Sequence, residues 1–349
     1  MQNKNINFHE TKLFITPKKL KEKYPINAKE KKFILKSRKI ISDIIYNKDP
    51  RFLIVCGPCS IHDIHTSIDY AIRLKELSIK FINHLYIIMR VYYEKPRTSL
   101  GWKGFIYDPN LNGKSNITLG LIKVRNLYIQ LTKIKQPIAT EILNPLFAYY
   151  FNDLISWSAI GARTVSSQIH REIASYLMNP IGFKNSLDGS IKNACHAILT
   201  ASEAHNFVGI NQDGNICIIN SSGNINSHII LRGGNFPNYF QHNIYDCKKQ
   251  MQNFSLPEAI MIDCNHGNSE KNEKKQIQVA ESILRYLSIH NRSIIGLMLE
   301  SHINSGNQIW KLPKNKIKYG ISLTDPCISW DDTCYFLKNL YNFLKIHNR

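Results

Sequence analysis

Apolar positions along the chain follow two rhythms. Over residues 30–47 they recur at helical spacing, with Phe33, Ile34, Ile40, Ile41, Ile44 and Ile45 on one face, which predicts an amphipathic helix. After Asp49-Pro50 short unbroken apolar runs take over, each ended by Gly or polar residues and separated by helix-like stretches. There are eight, at residues 52–56, 86–91, 138–142, 159–165, 181–184, 228–232, 259–264 and 294–300. Strands apolar throughout, rather than alternating, suit a parallel sheet covered on both faces, with helices as crossovers. Eight βα units over about 300 residues predict an α/β fold of the TIM (β/α)8 barrel kind. An open doubly wound sheet is the competing arrangement.

One stretch breaks the alternation. Residues 207–210 and 216–219 flank Asp213-Gly214, a pair suited to a tight type I′ turn, so a β-hairpin is expected as an insertion between the fifth and sixth units. Residues 1–27 are polar and read as irregular. The expected organisation is an N-terminal extension with a helix over 1–50, followed by a catalytic barrel over 51–349. No run is long and apolar enough to span a bilayer, and the lysine-rich first thirty residues hold no signal-peptide core, so a soluble cytoplasmic protein is expected, with no membrane partner.

Composition adds less than it promises. An apolar fraction of 43% supports a full core, and eight scattered cysteines read as reduced thiols rather than a disulfide framework. A formal charge of +19 raises the question of nucleic acid. However, the lysines are spread along the chain and no recognition motif accompanies them, so no nucleic-acid partner is expected. The charge does favour anionic substrates.

In such a barrel the C-terminal strand ends converge on the active site. Here they carry Cys59 and His62, then Arg90, Lys95 and Arg97, then Glu141, Arg163, Lys184, Arg232, His266 and Glu300, with Asp325 just beyond the last strand. Six of these are cations, more than one small monoanion needs, and they point to two phosphorylated substrates or one polyphosphate. Cys59, His266, Glu300 and Asp325 form a mixed sulfur, nitrogen and oxygen set suited to a divalent transition metal, although their separation in sequence gives no spacing evidence. Asp263, Asn265 and His302 lie close enough in sequence to support or replace a ligand. His205 and His228 are isolated and read as structural or exposed. No nucleotide-binding glycine loop and no G-x-S-x-G elbow is present.

Taken together, these segments resemble the bacterial type of class I 3-deoxy-7-phosphoheptulonate (DAHP) synthases. The matching stretches are Gly57-Pro58-Cys59-Ser60-Ile61-His62-Asp63, Tyr93-Glu94-Lys95-Pro96-Arg97-Thr98, Ala139-Thr140-Glu141, Gly161-Ala162-Arg163-Thr164, Gly182-Phe183-Lys184-Asn185, Leu231-Arg232-Gly233-Gly234, His266-Gly267-Asn268 and Thr324-Asp325-Pro326. The resemblance implies condensation of phosphoenolpyruvate with erythrose 4-phosphate, the first step of the shikimate pathway. The related octulosonate 8-phosphate synthases carry a different pattern around residues 95–98. It further implies that Cys59, His266, Glu300 and Asp325 ligate one divalent metal, Mn²⁺ or Fe²⁺, with Zn²⁺ or Co²⁺ as alternatives. By the same resemblance Arg163, Lys184 and Arg232, beside Ala162, hold the phosphoenolpyruvate phosphate, and Arg90 and Lys95 its carboxylate. Arg97 and Thr98 hold the aldehyde's phosphate, Lys95, Cys59 and His266 are catalytic, and the assembly is a homodimer or homotetramer.

Departures from the family pattern gather elsewhere. Asn144, Met178 and Gly209 stand where relatives carry an aspartate and two serines near the expected pocket for an aromatic feedback inhibitor. Weak feedback is therefore expected, with a lean toward the tryptophan-sensitive form. Cys264-Asn265 replaces the usual Phe-Ser before His266, and Asn265 is expected to keep a hydrogen bond to the metal site.

Overall fold

The computed structural model describes residues 13–97, 100–287, 292–310 and 314–347. Two helices, α1 (Pro17–Lys23) and α2 (Ala28–Ile45), precede ten strands: β1 (Phe52–Gly57), β2 (Leu85–Arg90), β3 (Ile138–Glu141), β4 (Trp157–Ile160), β5 (Ile181–Lys184), β6 (Asn206–Ile210), β7 (Ile216–Asn220), β8 (Ser227–Leu231), β9 (Ile260–Asp263) and β10 (Ile294–Glu300). Between and after them run α3 (Ile64–Lys80), α4 (Ile117–Lys133), α5 (Pro145–Phe151), α6 (Gln168–Tyr176), α7 (Lys192–Ser202), α8 (Gln241–Asn253), α9 (Glu273–Leu284) and α10 (Trp330–Ile346). Eight strands close a parallel barrel in the order β1-β10-β9-β8-β5-β4-β3-β2, and β6 and β7 pair antiparallel outside it. The barrel expected from the apolar runs is therefore the fold, and the open sheet is not.

The sheet divides the core in two. Leu53, Val55, Tyr86, Ile88, Trp157, Ile230, Met261 and Met298 fill the inside of the barrel, and a larger cluster lies between the strands and the surrounding helices. Every residue of β1, β2 and β10 is buried, which explains why these strands read as continuous apolar runs.

Helix α2 begins at a reciprocal cap between Asn27 and Glu30 and joins the inner cluster through Ile41, Ile44 and Ile45. Its polar side chains reach residues that precede strands. Arg38 donates to the carbonyl of Ile155, Ser42 Oγ to Asn226 Oδ1 at 2.5 Å, and Tyr46 OH to the carbonyl of Ile225 at 2.7 Å. The helix thus lies across the end of the barrel where strands begin, leaving the opposite end open.

Three sequence expectations need correction. The fourth strand is β4, ending at Ile160, whereas the run over 159–165 had been expected to be extended. Thr164 and Val165 both donate to the carbonyl of Gly161, which folds those residues into a turn. Residues 17–23 are helical rather than irregular, with Thr16 as N-cap and Pro17 in the first turn, where its missing N–H costs nothing. The hairpin forms, but not through a two-residue type I′ turn. Asn211 pairs with Asn215 across a three-residue loop in which Gly214 takes φ +83° and Asp213 stays outside the left-handed region. Asn211 Oδ1 accepts from the backbone N–H groups of both Asp213 and Asn215, which holds the longer loop.

Ile41→Ala removes a fully buried side chain from the plug without touching the open end. It should lower unfolding free energy by about 2–5 kcal/mol in urea titrations, with turnover per folded molecule unchanged.

Candidate active site

The open end holds a cavity of about 230 Å³ lined, among the described residues, by seven cationic side chains, Arg90, Lys95, Arg97, Arg163, Lys184, Arg232 and Lys271, and by two carboxylates, Glu141 and Asp325. His266, Tyr92, Pro96 and Ala162 complete the wall. Seven strand ends or the loops just beyond them contribute, so barrel closure, not sequence proximity, assembles it.

On one side lies a candidate metal centre. Ligand atoms of Cys59, Glu300 and Asp325 lie within 4.8 Å of one another. Cys59 and Glu300 are wholly buried. Gly57 lets the first strand end here, because a Cβ at that position would meet the Arg90 carbonyl at 2.8 Å. Arg90 ties the group together. Its Nη2 donates to Glu300 Oε1 at 2.8 Å and to the Cys59 carbonyl at 3.2 Å, and its Nε donates to the Pro58 carbonyl at 3.3 Å. Asn265 Nδ2 donates to the other oxygen of Glu300 at 2.6 Å, so the expected hydrogen bond at this unusual residue is present.

The charges there balance only partly. Burial opposes ionisation of Glu300 and Asp325, but Arg90 and Lys95 near the first, and Lys95, His266 and Lys271 near the second, hold both carboxyls below their usual range. Burial, then Glu300, pushes the Cys59 thiol up to about 12, despite Lys95 Nζ at 2.7 Å from Sγ. Added positive charge would make the thiolate the favoured form here, which is what a divalent ion supplies.

His266 sits slightly apart from these three. Its Nε2 is 3.8 Å from Glu300 Oε1, while Nδ1 is 2.9 Å from Asp263 Oδ2, out of line for a hydrogen bond. Both atoms of that contact are buried without a hydrogen bond, and His266 holds a left-handed φ of 54°. Backbone strain of this kind concentrates where a side chain must be aimed. A soft sulfur, two carboxylates and an imidazole within reach are a donor set that fits a divalent transition metal.

The other side is built for anions. Arg232 is mostly buried, and burial together with the nearby Arg163 lowers its pKa although Asp263 and Glu141 work against the shift. Lys184 Nζ lies 3.2 Å from Asp263 and 3.9 Å from Glu141. Asp263 is thus set between Lys184 and His266, whose charges, with Arg90's, outweigh burial and hold its carboxyl well below the usual range. Gly161 leaves room for Glu141, because a Cβ there would come within 2.3 Å of the Glu141 carboxylate.

Not every expected residue arrives. Thr98 lies outside the described residues. His62 is buried away from the cavity with its ring against His302, 5.7 Å between centroids, so neither joins the candidate ligands. His228 accepts from Trp157 Nε1 inside the barrel, a structural role, and His205 bonds the Thr200 carbonyl. Conversely, Lys271 and Tyr92 line the cavity and were not singled out. Lys271 reaches within 3.9 Å of Asp325 because Glu270 and Lys271 both turn left-handed, with φ 54° and 61°. Arg90 stacks on Tyr92 at 3.9 Å.

Of the three unusual positions expected near a feedback pocket, Asn144 caps α5 by accepting from the Leu146 N–H, and Met178 is exposed. At Gly209 a Cβ would come within 2.3 Å of the Tyr149 hydroxyl, which fills the space a serine side chain would need.

Glu94, next to Lys95, is buried and accepts from Tyr107 OH at 3.1 Å and from the Asn144 N–H at 3.2 Å. Burial, assisted by the charge of Glu141, raises its pKa from 4.5 to about 8. The folded state therefore holds this proton more tightly than the unfolded chain. Its share of stability is complete below pH 4.5 and is lost as pH rises toward 8. Glu94→Gln should flatten that fall, so that urea midpoints compared at pH 5.5 and 8.5 differ less in the variant than in the parent.

Comparison with known proteins places this geometry. The sequence profile of the DAHP synthetase I family matches residues 23–338. The Tyr-sensitive phospho-2-dehydro-3-deoxyheptonate aldolase of Escherichia coli K12 is 47% identical over 97% of this chain and 96% of its own. A Trp-sensitive relative from Buchnera aphidicola subsp. Baizongia pistaciae is 43% identical over 94% of each chain, and the Phe-sensitive enzyme of E. coli K12 is 42% identical over 99% and 98%. The lean toward the tryptophan-sensitive form thus finds no particular support among relatives of all three kinds. The solved structure of the aldolase from Francisella tularensis SCHU S4 superposes with a TM-score of 0.94 at 42% identity, covering 98% of this chain and 99% of that one. With nearly all of its length matched and its strand-end residues gathered in one cavity, the chain belongs to the DAHP synthetase I family.

Proposed function

We propose that the cavity condenses phosphoenolpyruvate, D-erythrose 4-phosphate and water to 3-deoxy-D-arabino-heptulosonate 7-phosphate and inorganic phosphate, the first step toward the aromatic amino acids. The observation that carries this reading is the joining, in one 230 Å³ cavity, of seven cations with a Cys-Glu-Asp group. Two phosphorylated anions repel each other, and a rigid ring of cations offsets that repulsion while fixing attack geometry.

In this reading Arg163, Lys184 and Arg232, beside Ala162, take the phosphate of phosphoenolpyruvate. Lys95 and Arg90 face its carboxylate, although most donors of Arg90 are already committed to Glu300, Cys59 and Pro58. Arg97, whose Nε donates to the Trp102 carbonyl at 2.8 Å, presents its remaining donors to the aldehyde's phosphate together with Thr98. A divalent metal held by Cys59, His266, Glu300 and Asp325, Mn²⁺ or Fe²⁺ with Zn²⁺ and Co²⁺ as substitutes, supplies Lewis acidity toward the aldehyde carbonyl. C3 of the enol phosphate attacks that carbonyl carbon, and Lys95, kept charged by Glu300 and Asp325 in spite of burial, delivers a proton to the carbonyl oxygen. Water adds at C2, and breakage of the C2–O bond releases phosphate. The barrel from residue 51 onward carries this chemistry, with residues 1–50 as an extension. The working form is a cytoplasmic homodimer or homotetramer. Feedback by aromatic amino acids is weak, because Asn144 is engaged as a helix cap and Tyr149 occupies the space beside Gly209.

Protein stripped of metal should be inactive and regain turnover with Mn²⁺, followed by loss of enol absorbance. Cys59→Ala should cut turnover more than about a hundredfold, beyond the usual loss for an outer-shell partner. Turnover with arabinose 5-phosphate but not erythrose 4-phosphate would replace the aldehyde substrate, and none with either would reject the reaction. Arg97→Ala should raise KM for erythrose 4-phosphate by about tenfold or more, the loss of a charged hydrogen bond, with a smaller change for phosphoenolpyruvate. Half-inhibition by micromolar Tyr, Phe or Trp would overturn weak feedback.

A further inference from the structure

A second cavity, of about 380 Å³, opens on the flank of the barrel and shares no lining residue with the first. Its floor is Tyr86 and Ile87 of β2 with Pro137 ahead of β3, and its walls are Phe33 and Ile40 of α2 and Ile79 of α3, with Ile82 just beyond. Ile79 and Ile82 remain 62% and 44% exposed, so these walls offer apolar surface left open by the described residues. The polar groups of the floor are mutually satisfied, with Tyr86 OH donating to Ser37 Oγ at 2.8 Å and Ser78 Oγ to the Leu74 carbonyl at 2.8 Å.

The rim has one sign of charge. Lys36, Arg51, Lys75 and Lys135 line the cavity, and among the described residues no Asp or Glu does. Arg51 is neutralised by Asp49 at 2.5 Å, but Lys36, Lys75 and Lys135 make no ion pair among the described residues. Lys75 Nζ donates to the Lys135 carbonyl at 2.9 Å, which draws one ammonium to the foot of the other lysine. Burial and the neighbouring Lys135 both work against the charge on Lys75. An anion placed there would relieve that repulsion, while an ammonium or a zwitterion would find no carboxylate to meet it. The volume lies within the range of small-molecule sites, about 300–1,000 Å³. The first cavity is polar and suits phosphorylated molecules, whereas this one pairs an apolar bed with unpaired lysines.

We propose that this cavity is a binding site for a water-soluble apolar monocarboxylate, with its tail over Phe33, Ile79 and Tyr86 and its carboxylate at Lys75 and Lys135. The proposal rests on the flank alone and stands independently of the chemistry at the barrel mouth.

Calorimetric titration of the purified full-length protein with octanoate, octanol and octylammonium tests it. Octanoate should bind saturably with one site per chain, and octylammonium about tenfold more weakly or not at all, the scale of a charged hydrogen bond. Ile79→Glu, a change at an exposed position, should abolish binding, and the pair Lys75→Gln with Lys135→Gln should weaken octanoate about tenfold while leaving octanol unchanged. Turnover at the barrel mouth, which none of these residues lines, serves as the control for folding. Equal affinity for the three amphiphiles, or octanoate binding indifferent to all these substitutions, would overturn the proposal. So would a change of sedimentation coefficient in Ile79→Glu, which would show a second copy of the chain lying in the groove.

Discussion

The buried contact between Arg90 and Glu300 holds the rest of the site in place. It joins the end of the second strand to the end of the last, across the first, at 2.8 Å with both side chains out of solvent. Such a pair does not stabilise a fold simply by existing, because removing two charges from water offsets most of their attraction. Its force is conditional: loss of one partner strands the other, at a cost of about 3–5 kcal/mol. Two further donors of Arg90 go to the Pro58 and Cys59 carbonyls, and the second oxygen of Glu300 accepts from Asn265, so one ion pair holds the Cys59 segment and a carboxylate together.

Around that strut the chain gathers charge that would be intolerable elsewhere. Burial opposes the charge on Glu300, Asp325, Asp263 and Lys95, and each stays charged because opposite charges stand close by, as with Lys95 beside Asp325 or Asp263 beside Lys184. On the other side Arg163 and Arg232 stand close together, and the wall as a whole carries seven cations against two carboxylates among the described residues. That imbalance is tolerable only because the cavity opens to water and to anions. The plug formed by α2 at the far end allows the barrel to be rigid there and functional here.

Net charge by itself pointed nowhere in particular. A chain at +19 could bind nucleic acid, membranes or small anions. What separates these is where the cations stand. Seven face one cavity beside a thiol, and four more line an apolar cleft on the flank.

The sequence alone determined a parallel sheet covered on both faces, because eight apolar runs without alternation leave little else, and it determined which residues stand at the strand ends, whereas closure of that sheet into a barrel was settled by the tertiary structure. Most of the cavity wall, from Arg90 to Asp325, was therefore legible residue by residue. Tertiary structure decided the rest for local and directional reasons. β4 ends at Ile160 because Thr164 and Val165 donate back to the Gly161 carbonyl, and Gly161 leaves the space that the Glu141 carboxylate fills. Lys271 entered the wall through two consecutive left-handed residues that no apolar pattern announces. His62 shares a strand-end segment with Cys59 but turns to pack against His302, since three residues along a loop carry no information about direction. Periodicity records which face of an element is buried. It does not record where a loop aims its side chains, and aim is what makes a site.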